Sequence, residues 1–572
     1  MLMRSVHLSF VAPLSLALSL GLALPSVAQE APAPAVPAAT STATDSPAAI
    51  APTQPPPLIV AISVDQFSAD LFAQYRAHFS GGFSRLLSGA VFPSGFQSHA
   101  ATETCPGHST ILTGAHPART GIVANNWYVP ALGREEKRVY CAEDEADPDS
   151  SSSKPVVSPN HLKVPTLGDL MKRANPAAKN VAVSAKDRAV VMMSGHTADA
   201  AYWWEGNGFA SYKGRTLTPA AQAENAIVSK LVAAGAPELP EPGWCKAFDR
   251  AIPVKDFTIG TYRFPLTAGD MKSFGRTPRM DAATGDLALR LVDEQGLGRD
   301  AVTDVLSVSF SATDYVGHAY GHEGVEMCIQ LAQLDATLGK LFAGLDARGI
   351  DYVAVLTADH GGIDAPERLK RQGFPSAQRI DPALTSDALS QAVSASTGVV
   401  PKSGPLFYGA GSSGDVWIAD GLAKKDRAKA LDALVTLLKA NPQIVAVYRK
   451  DEVAAMPMPK DDPQDWTIAE RTRASFDAER SGDILMMTAR GVVPGDPQPG
   501  YTATHGSPWD YDRRVPILFW RKGVAGFEQP DPVETVDIAP TLAAIIGLDV
   551  PDGTFDGRCL DIDGTAADTC GS

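Results

Sequence analysis

The sequence is short of several residues whose abundance would announce a protein class. Its six cysteines, Cys105, Cys141, Cys245, Cys328, Cys559 and Cys570, form no Cys-x-x-Cys and no Cys/His finger spacing, which argues against thiolate metal sites. Positive charge is also scarce. Fifty Lys and Arg face 65 Asp and Glu, a net charge of −15. That balance argues against tracking a nucleic-acid backbone or coating an anionic membrane, while leaving room for a local basic pocket. Past the first 28 residues no apolar run is long enough to span a bilayer. With 44% hydrophobic and 20% charged residues, wholesale disorder, collagen-like repeats and a coiled coil are excluded. The length suits one large domain with an inserted lobe, or two or three domains.

Residues 1–28 read as a signal peptide. Arg4 precedes the apolar run Leu8 to Leu24, and Ser26-Val27-Ala28 offers small residues at a cleavage site. The alternative is an amino-terminal anchor, but the run contains Pro13 and has no stop-transfer flank. No cysteine follows it to be acylated. The expected location is periplasmic or extracellular, with no span left after processing. Residues 29–57 are almost wholly Ala, Pro, Thr and Ser and read as a disordered tether, placing the start of the fold near Leu58. Export permits disulfides. Only Cys559 and Cys570 suggest each other, by proximity.

Beyond Leu58, short β-branched runs end in polar residues and alternate with helical stretches. Leu58–Val64 ends at Asp65, Asn180–Ser184 at Lys186-Asp187-Arg188, Val302–Phe310 near Asp314, and Tyr352–Thr357 at Asp359-His360. Val515–Trp520 and a helical run Thr535–Ile546 come late. Continuous apolar strands between helices imply a mostly parallel, doubly wound α/β sheet with helices on both faces. Ligands gather beyond the carboxyl ends of such strands, where these polar residues fall.

Singly, each cluster has a bland reading. Asp314 and His318, four apart, would share a helical face and could hold one metal, or simply be solvated. Asp359-His360 needs an irregular turn, for which Gly361-Gly362 offers freedom. His505-Gly506 lies in another Gly-containing loop. Together they supply three carboxylates and three imidazoles, a donor set suited to two zinc-like ions. Thr104 opens the helical stretch Thr104-Cys105-Pro106-Gly107-His108, which Gly114 stops. It reads either as an N-cap or as a nucleophile at a helix N-terminus, where anions are stabilised.

In order along the chain, Ile62-Ser63-Val64-Asp65, Thr104 to His108, Asp314-Tyr315-Val316-Gly317-His318, Thr357-Ala358-Asp359-His360-Gly361 and Thr504-His505-Gly506 resemble the alkaline phosphatase superfamily. Val536 to Leu542 is similar to its closing helix. Within that superfamily the chain resembles the secreted bacterial alkaline phosphatases of PhoK/PafA type, over nearly all of 58–572. The resemblance implies an alkaline-phosphatase-like fold with an inserted α+β cap. It places one Zn2+ on Asp65, Thr104, Asp359 and His360, and the other on Asp314, His318 and His505. Thr104 becomes the nucleophile that carries a phosphothreonine, and Asn125, Lys186 and Arg188 become the phosphate-binding residues. His322, four beyond His318, is not a ligand in that pattern. Additional Ca2+ and the oligomeric state are not readable from the sequence.

The expected substrates are small phosphate monoesters. The rival reading is a phosphodiesterase or nucleotide pyrophosphatase on the same two-zinc core, which lacks the Lys-x-Arg pair. A sulfatase would want Cys where Thr104 stands, and a non-catalytic metal-stabilised binding protein need not keep Thr104, Lys186 and Arg188. Two insertions are expected over the pocket. One spans about 202–272 and contains Trp203, Trp204 and Trp244. The other, the cap, spans about 380–500, with a strand–helix–strand unit of Asp415–Ala419, Lys424–Leu438 and Ile444–Arg449.

Overall fold

A computed structural model describes residues 54–409, 414–565 and 568–571. Residues 1–28, read from the sequence as a signal peptide, and residues 29–53 of the expected tether lie outside the described residues. Pro56 and Pro57 already belong to the fold: Thr303 Oγ1 donates to Pro56 O at 2.7 Å and Asp304 N to Pro57 O at 2.9 Å.

Seven strands make the body of the main sheet: β1 (Leu58–Val64), β2 (Ala90–Phe96), β3 (Asn180–Ser184), β4 (Ala200–Trp204), β5 (Asp304–Phe310), β6 (Tyr352–Thr357) and β7 (Arg514–Arg521). The order is β2-β7-β6-β1-β5-β3-β4, and Phe527–Glu528, Val533–Glu534 and Phe209–Ala210 complete ten strands at the edges. Strands β6, β1, β5, β3 and β4 are mutually parallel, and β7 runs antiparallel between β6 and β2. The mostly parallel expectation therefore holds, with one reversed strand inside it. Strand β5 starts at Asp304 rather than Val302, because the Asp304 carboxylate is used to accept Lys179 N and Gly298 N at the strand entry.

Alternation in β1 explains why its sequence is apolar throughout. Leu58, Val60, Ile62 and Val64 enter one core with Leu287, Leu334 and Leu338 of the helices Pro278–Gln295 and Val325–Ala347. Ile59 and Ala61 enter another with Ile111, Leu112 and Leu542. Both faces are thus covered, and neither can be polar. Three helices lead away from the carboxyl ends of the sheet and carry chemistry: α1 (Thr104–Thr113), α2 (Asp187–Ser194) and α3 (Ala312–Tyr320).

Residues 378–493 hold a separate antiparallel sheet in the order Phe407–Gly409, Asp415–Ile418, Ile484–Thr488, Ile444–Arg449. The helices Ser386–Thr397 and Lys424–Ala440 pack on it through Leu389, Val393, Leu434 and Leu438. Strand Ile484–Thr488 sits between the two strands read from sequence, so the strand–helix–strand unit is closed by a later segment. Among the described residues no helix is long and apolar enough to cross a membrane.

The exit of α1 is fastened to the end of the chain. Gly114, at φ 62°, stops the helix, and its carbonyl accepts Asp556 N at 2.7 Å. Buried His116 sits between Glu534 Oε1 at 3.0 Å and Asp556 Oδ2 at 3.4 Å. Burial alone would lower its pKa, but the hydrogen bonds to Asp556 and Glu534 prevail and raise it from 6.5 to about 10. A raised folded-state pKa contributes stability that is complete below the unfolded value and gone once pH passes the folded one. The thermal midpoint of H116Q should therefore fall furthest below wild type near pH 6. The gap should narrow as pH rises and close beyond about pH 10. Differential scanning calorimetry across that range checks it.

Candidate functional site

The functional side chains converge from strand ends that are distant in sequence. Asp65 follows β1, Lys186 and Arg188 follow β3, Asp314 and His318 lie on α3 beyond β5, and Asp359-His360 follow β6. His505 is delivered by the chain returning from the second sheet. Asp65, Asp314, Asp359, His360, His505 and Thr104 are all buried.

Two donor groups form. Asp65, Asp359 and His360 make one, and Asp314, His360 and His505 the other, each with ligand atoms within 4.8 Å of one another. His360 Nε2 is 3.3 Å from Asp359 Oδ2 and 3.6 Å from Asp65 Oδ1. His318 Nε2 and His505 Nε2 lie 3.3 and 3.4 Å from Asp314 Oδ1. His360 thus stands between the groups, whereas the resemblance placed it in one. The rings of His360 and His505 stack at 3.6 Å.

The second nitrogen of each imidazole decides what the groups can hold. Nδ1 of His318, His360 and His505 faces the carbonyls of Ala503, Gly361 and Thr102 at 2.8, 2.8 and 2.7 Å. A carbonyl only accepts, so each Nδ1 carries a proton, and in the neutral imidazole each Nε2 presents a lone pair. Those lone pairs point at carboxylate oxygens, which also only accept. Asp65 Oδ1, Asp314 Oδ1 and His360 Nε2 accordingly have no hydrogen-bond donor. Buried acceptors facing acceptors need a proton or a cation between them, and a set of three carboxylates and three imidazoles around shared points suits cations. The residues fit two divalent ions.

The local electrostatics agree. Burial would lower the Lys186 pKa, yet Asp314 and Asp65 hold it above its ordinary value; its Nζ is 2.7 Å from Asp65 Oδ2 and also bonds Asp314 Oδ2. One ammonium cannot balance three buried carboxylates. Burial and the neighbouring Asp359 push Asp65 well above the ordinary carboxyl range. Burial opposes ionisation of Asp359 too, but His360 and His108 pull it below its ordinary value.

Thr104 is not the N-cap. Glu103, in extended conformation, caps α1, and Thr104 is its first helical residue. Its hydroxyl is thereby left for Arg188 Nη2, 3.4 Å away. Asn125 Oδ1 accepts Cys105 N at 2.8 Å, which leaves its Nδ2 as a donor beside Thr104. Asn126 instead pairs with Tyr140 in a hairpin. The disulfide Cys105–Cys141 and the bond from Cys141 N to Asn125 O tie this loop to α1. Cys559–Cys570 also forms, as proximity suggested, together with Cys245–Cys328.

Gly361 and Gly362 serve close approach rather than unusual dihedrals, since neither has a positive φ. A Cβ on Gly361 would lie 2.2 Å from Tyr511 O, and one on Gly362 2.3 Å from His322 Nε2. His322 packs there, outside both donor groups. Two supports escaped the sequence reading. Gln66 adopts φ 65° and donates its N–H to Asp359 Oδ1 at 3.0 Å. His108 lies 3.0 Å from Asp359 Oδ2, 2.9 Å from Thr104 O and 2.9 Å from Ser309 Oγ. Its spacing of four from Thr104 on a helix was the available signal. The tryptophans do not roof the pocket: Trp203 packs on Tyr212, Trp204 on Phe209 and Phe274, and Trp244 on Tyr75 and His78. From the same insertion, Tyr262 and Phe264 reach the site's cavity instead.

The sequence profile described as type I phosphodiesterase / nucleotide pyrophosphatase matches residues 59–508. Alkaline phosphatase PhoK of Sphingomonas sp. is 51% identical over 520 residues, 90% of this chain and 93% of that protein. Alkaline phosphatase PhoD of Zymomonas mobilis subsp. mobilis is 46% identical over 90% of this chain and 89% of its own. The crystal structure of alkaline phosphatase PafA superposes with a TM-score of 0.77 at 26% identity, covering 90% of this chain and 100% of that one.

Elemental analysis of the purified protein should find about two divalent ions per chain, with each three-donor group holding its ion through charge and lone pairs. D359N should reduce this to about one, because Asp314, His360 and His505 remain. Retention of both ions by D359N would contradict the division of donors given above.

Proposed function

We propose that this chain, which belongs to the type I phosphodiesterase / nucleotide pyrophosphatase family and is an alkaline phosphatase, hydrolyses phosphate monoesters through a phosphothreonine at Thr104. The observation that carries this reading is the Lys186/Arg188 pair at the site: Lys186 is buried against Asp65 and Asp314, and half-buried Arg188 places Nη2 3.4 Å from the Thr104 hydroxyl. A monoester dianion has one more unsubstituted oxygen than a diester. Two cations aimed at that position match it, whereas a diester would place its second substituent there.

Asp65, Thr104, Asp359 and His360 would hold one ion, and Asp314, His318 and His505 the other; the mixed oxygen and imidazole donors suit zinc. When bound, the pair supplies Lewis acidity that lowers the Thr104 hydroxyl pKa and neutralises charge on the attacking and leaving oxygens. The chain's own residues do the rest. Thr104 Oγ forms a bond to phosphorus as the ester oxygen departs with its electron pair. Arg188, Lys186 and the Asn125 amide hold the remaining phosphoryl oxygens, where charge concentrates in a loose transition state. The amino-terminal end of α1 adds a positive potential at the same place. Water then cleaves the phosphothreonine and inorganic phosphate leaves.

His108 supports the cycle indirectly, by holding the Asp359 carboxylate and the Thr104 backbone in one arrangement. Three disulfides accord with an oxidising, exported location, periplasmic or extracellular. The second reading, a diesterase, draws on the description of the matching family profile.

Rates on p-nitrophenyl phosphate and its bis-ester separate the two. The monoester should be strongly preferred, and R188A should lower its kcat/KM by roughly 100- to 1,000-fold while affecting the diester far less. A preference for the diester would overturn the monoesterase reading. Acid quench during turnover, followed by peptide mass spectrometry, should find phosphate on the Thr104 peptide. T104A should carry none.

A further inference from the structure

Of the six Asp and His side chains read as metal ligands, five are sealed. The side chains of Asp65, Asp359 and His360 are 0% exposed, Asp314 3% and His505 6%, whereas His318 is 20% exposed. The site therefore opens past His318. A cavity of about 470 Å³ lies there, lined at its inner end by Asp314, His318 and Arg188. That volume suits a small organic group rather than a water or an ion.

The outer lining is unusual for so acidic a chain. Tyr501 stacks on His318 with ring centroids 5.3 Å apart and planes at 18°, and Tyr262 lines another wall. The charged side chain beyond the metal ligands and Arg188 is Arg276, which is exposed. Its guanidinium makes no hydrogen bond or ion pair among the described residues. It lies 6.0 Å from the centroid of Tyr315, the ring that Lys186 Nζ approaches to 5.1 Å. Asp314, the carboxylate among the described lining residues, is already engaged by Lys186 and its imidazoles. An unpaired cation at the open end of a pocket is thus available to a ligand.

We propose that this cavity is the leaving-group subsite and that Arg276 selects phosphate monoesters whose alcohol carries a second anionic group. The inference rests on the phosphomonoesterase reading above: with Thr104 grouped with Asp65, Asp359 and His360, an in-line departure carries the ester oxygen toward the Asp314–His318 side. With phosphorus beside Thr104 and Arg188, the alcohol portion extends along the Tyr501 and Tyr315 rings. A phosphate or carboxylate on its far end meets Arg276 through charge-assisted hydrogen bonds. Bisphosphorylated alcohols are the simplest such substrates.

The test compares kcat/KM for 3-hydroxypropyl phosphate with that for propane-1,3-diol and hexane-1,6-diol bisphosphates, in metal-loaded wild type, R276Q and R276K. After allowing for two equivalent phosphates, wild type should favour at least one bisphosphate by roughly three- to tenfold. R276Q should abolish that ratio and R276K should keep part of it. High salt should compress the wild-type ratio. An equal ratio in wild type and R276Q, with both ester classes hydrolysed, overturns the subsite while leaving the phosphatase reading intact. Failure of every variant to hydrolyse any of the monoesters would instead count against that reading.

Discussion

Three buried carboxylates and three imidazoles converge on a space where a single ammonium, that of Lys186, is the only full positive charge bonded to them among the described residues. Burial and the neighbouring Asp359 raise the pKa of Asp65, which marks the electrostatic cost of gathering these carboxylates. Much of the surrounding architecture holds those acceptors in place until cations neutralise them. Each imidazole is fixed by a backbone carbonyl on its far side. Gln66 accepts a left-handed backbone to steady Asp359, and His108 braces the same carboxylate from the nucleophile helix. The parallel strand ends provide the stiffness. A centre assembled on loops alone would relax by swinging its carboxylates into water.

The same constraint explains how a chain of net charge −15 handles an anionic substrate. Bulk charge governs solubility, and it falls off within a Debye length. In the proposed site two ions would join Lys186, Arg188 and a helix amino terminus against three carboxylates. The local sign is reversed from that of the surface. Asn125 adds a neutral donor and so tunes direction without altering that balance.

Much of this was legible in the sequence because strand ends write their chemistry beside apolar runs. Asp65, Asp359 and the Asp314/His318 pair follow recognisable strands or share a helical turn. The limits of legibility are equally physical. Thr104 looked like an N-cap because Thr commonly is one, but Glu103 takes that place. His360 lies within 4.8 Å of the donor atoms of both groups, a matter of ring placement that no spacing encodes. The partners in Cys105–Cys141 and Cys245–Cys328 are far apart in sequence, so proximity could suggest only Cys559–Cys570. Glycine at 361 and 362 suggested freedom of dihedral angle, whereas the cause is crowding by Tyr511 and His322. Arg276 carries no motif; only its lack of a partner in three dimensions distinguishes it.

Strand β7 lies in the interior of the sheet, between β2 and β6, yet it is among the last segments in the chain. His505 arrives just ahead of it. A polypeptide emerging amino terminus first, from a ribosome or a translocation pore, must keep a slot open beside β6 for most of its synthesis. During that time the edges of β2 and β6 are unpaired, and the metal ligands already made cannot close their second group. Folding is therefore gated by completion of the chain: a truncated product exposes adhesive sheet edges and lacks a finished centre. Threading order, as much as thermodynamics, decides when this molecule acquires its chemistry.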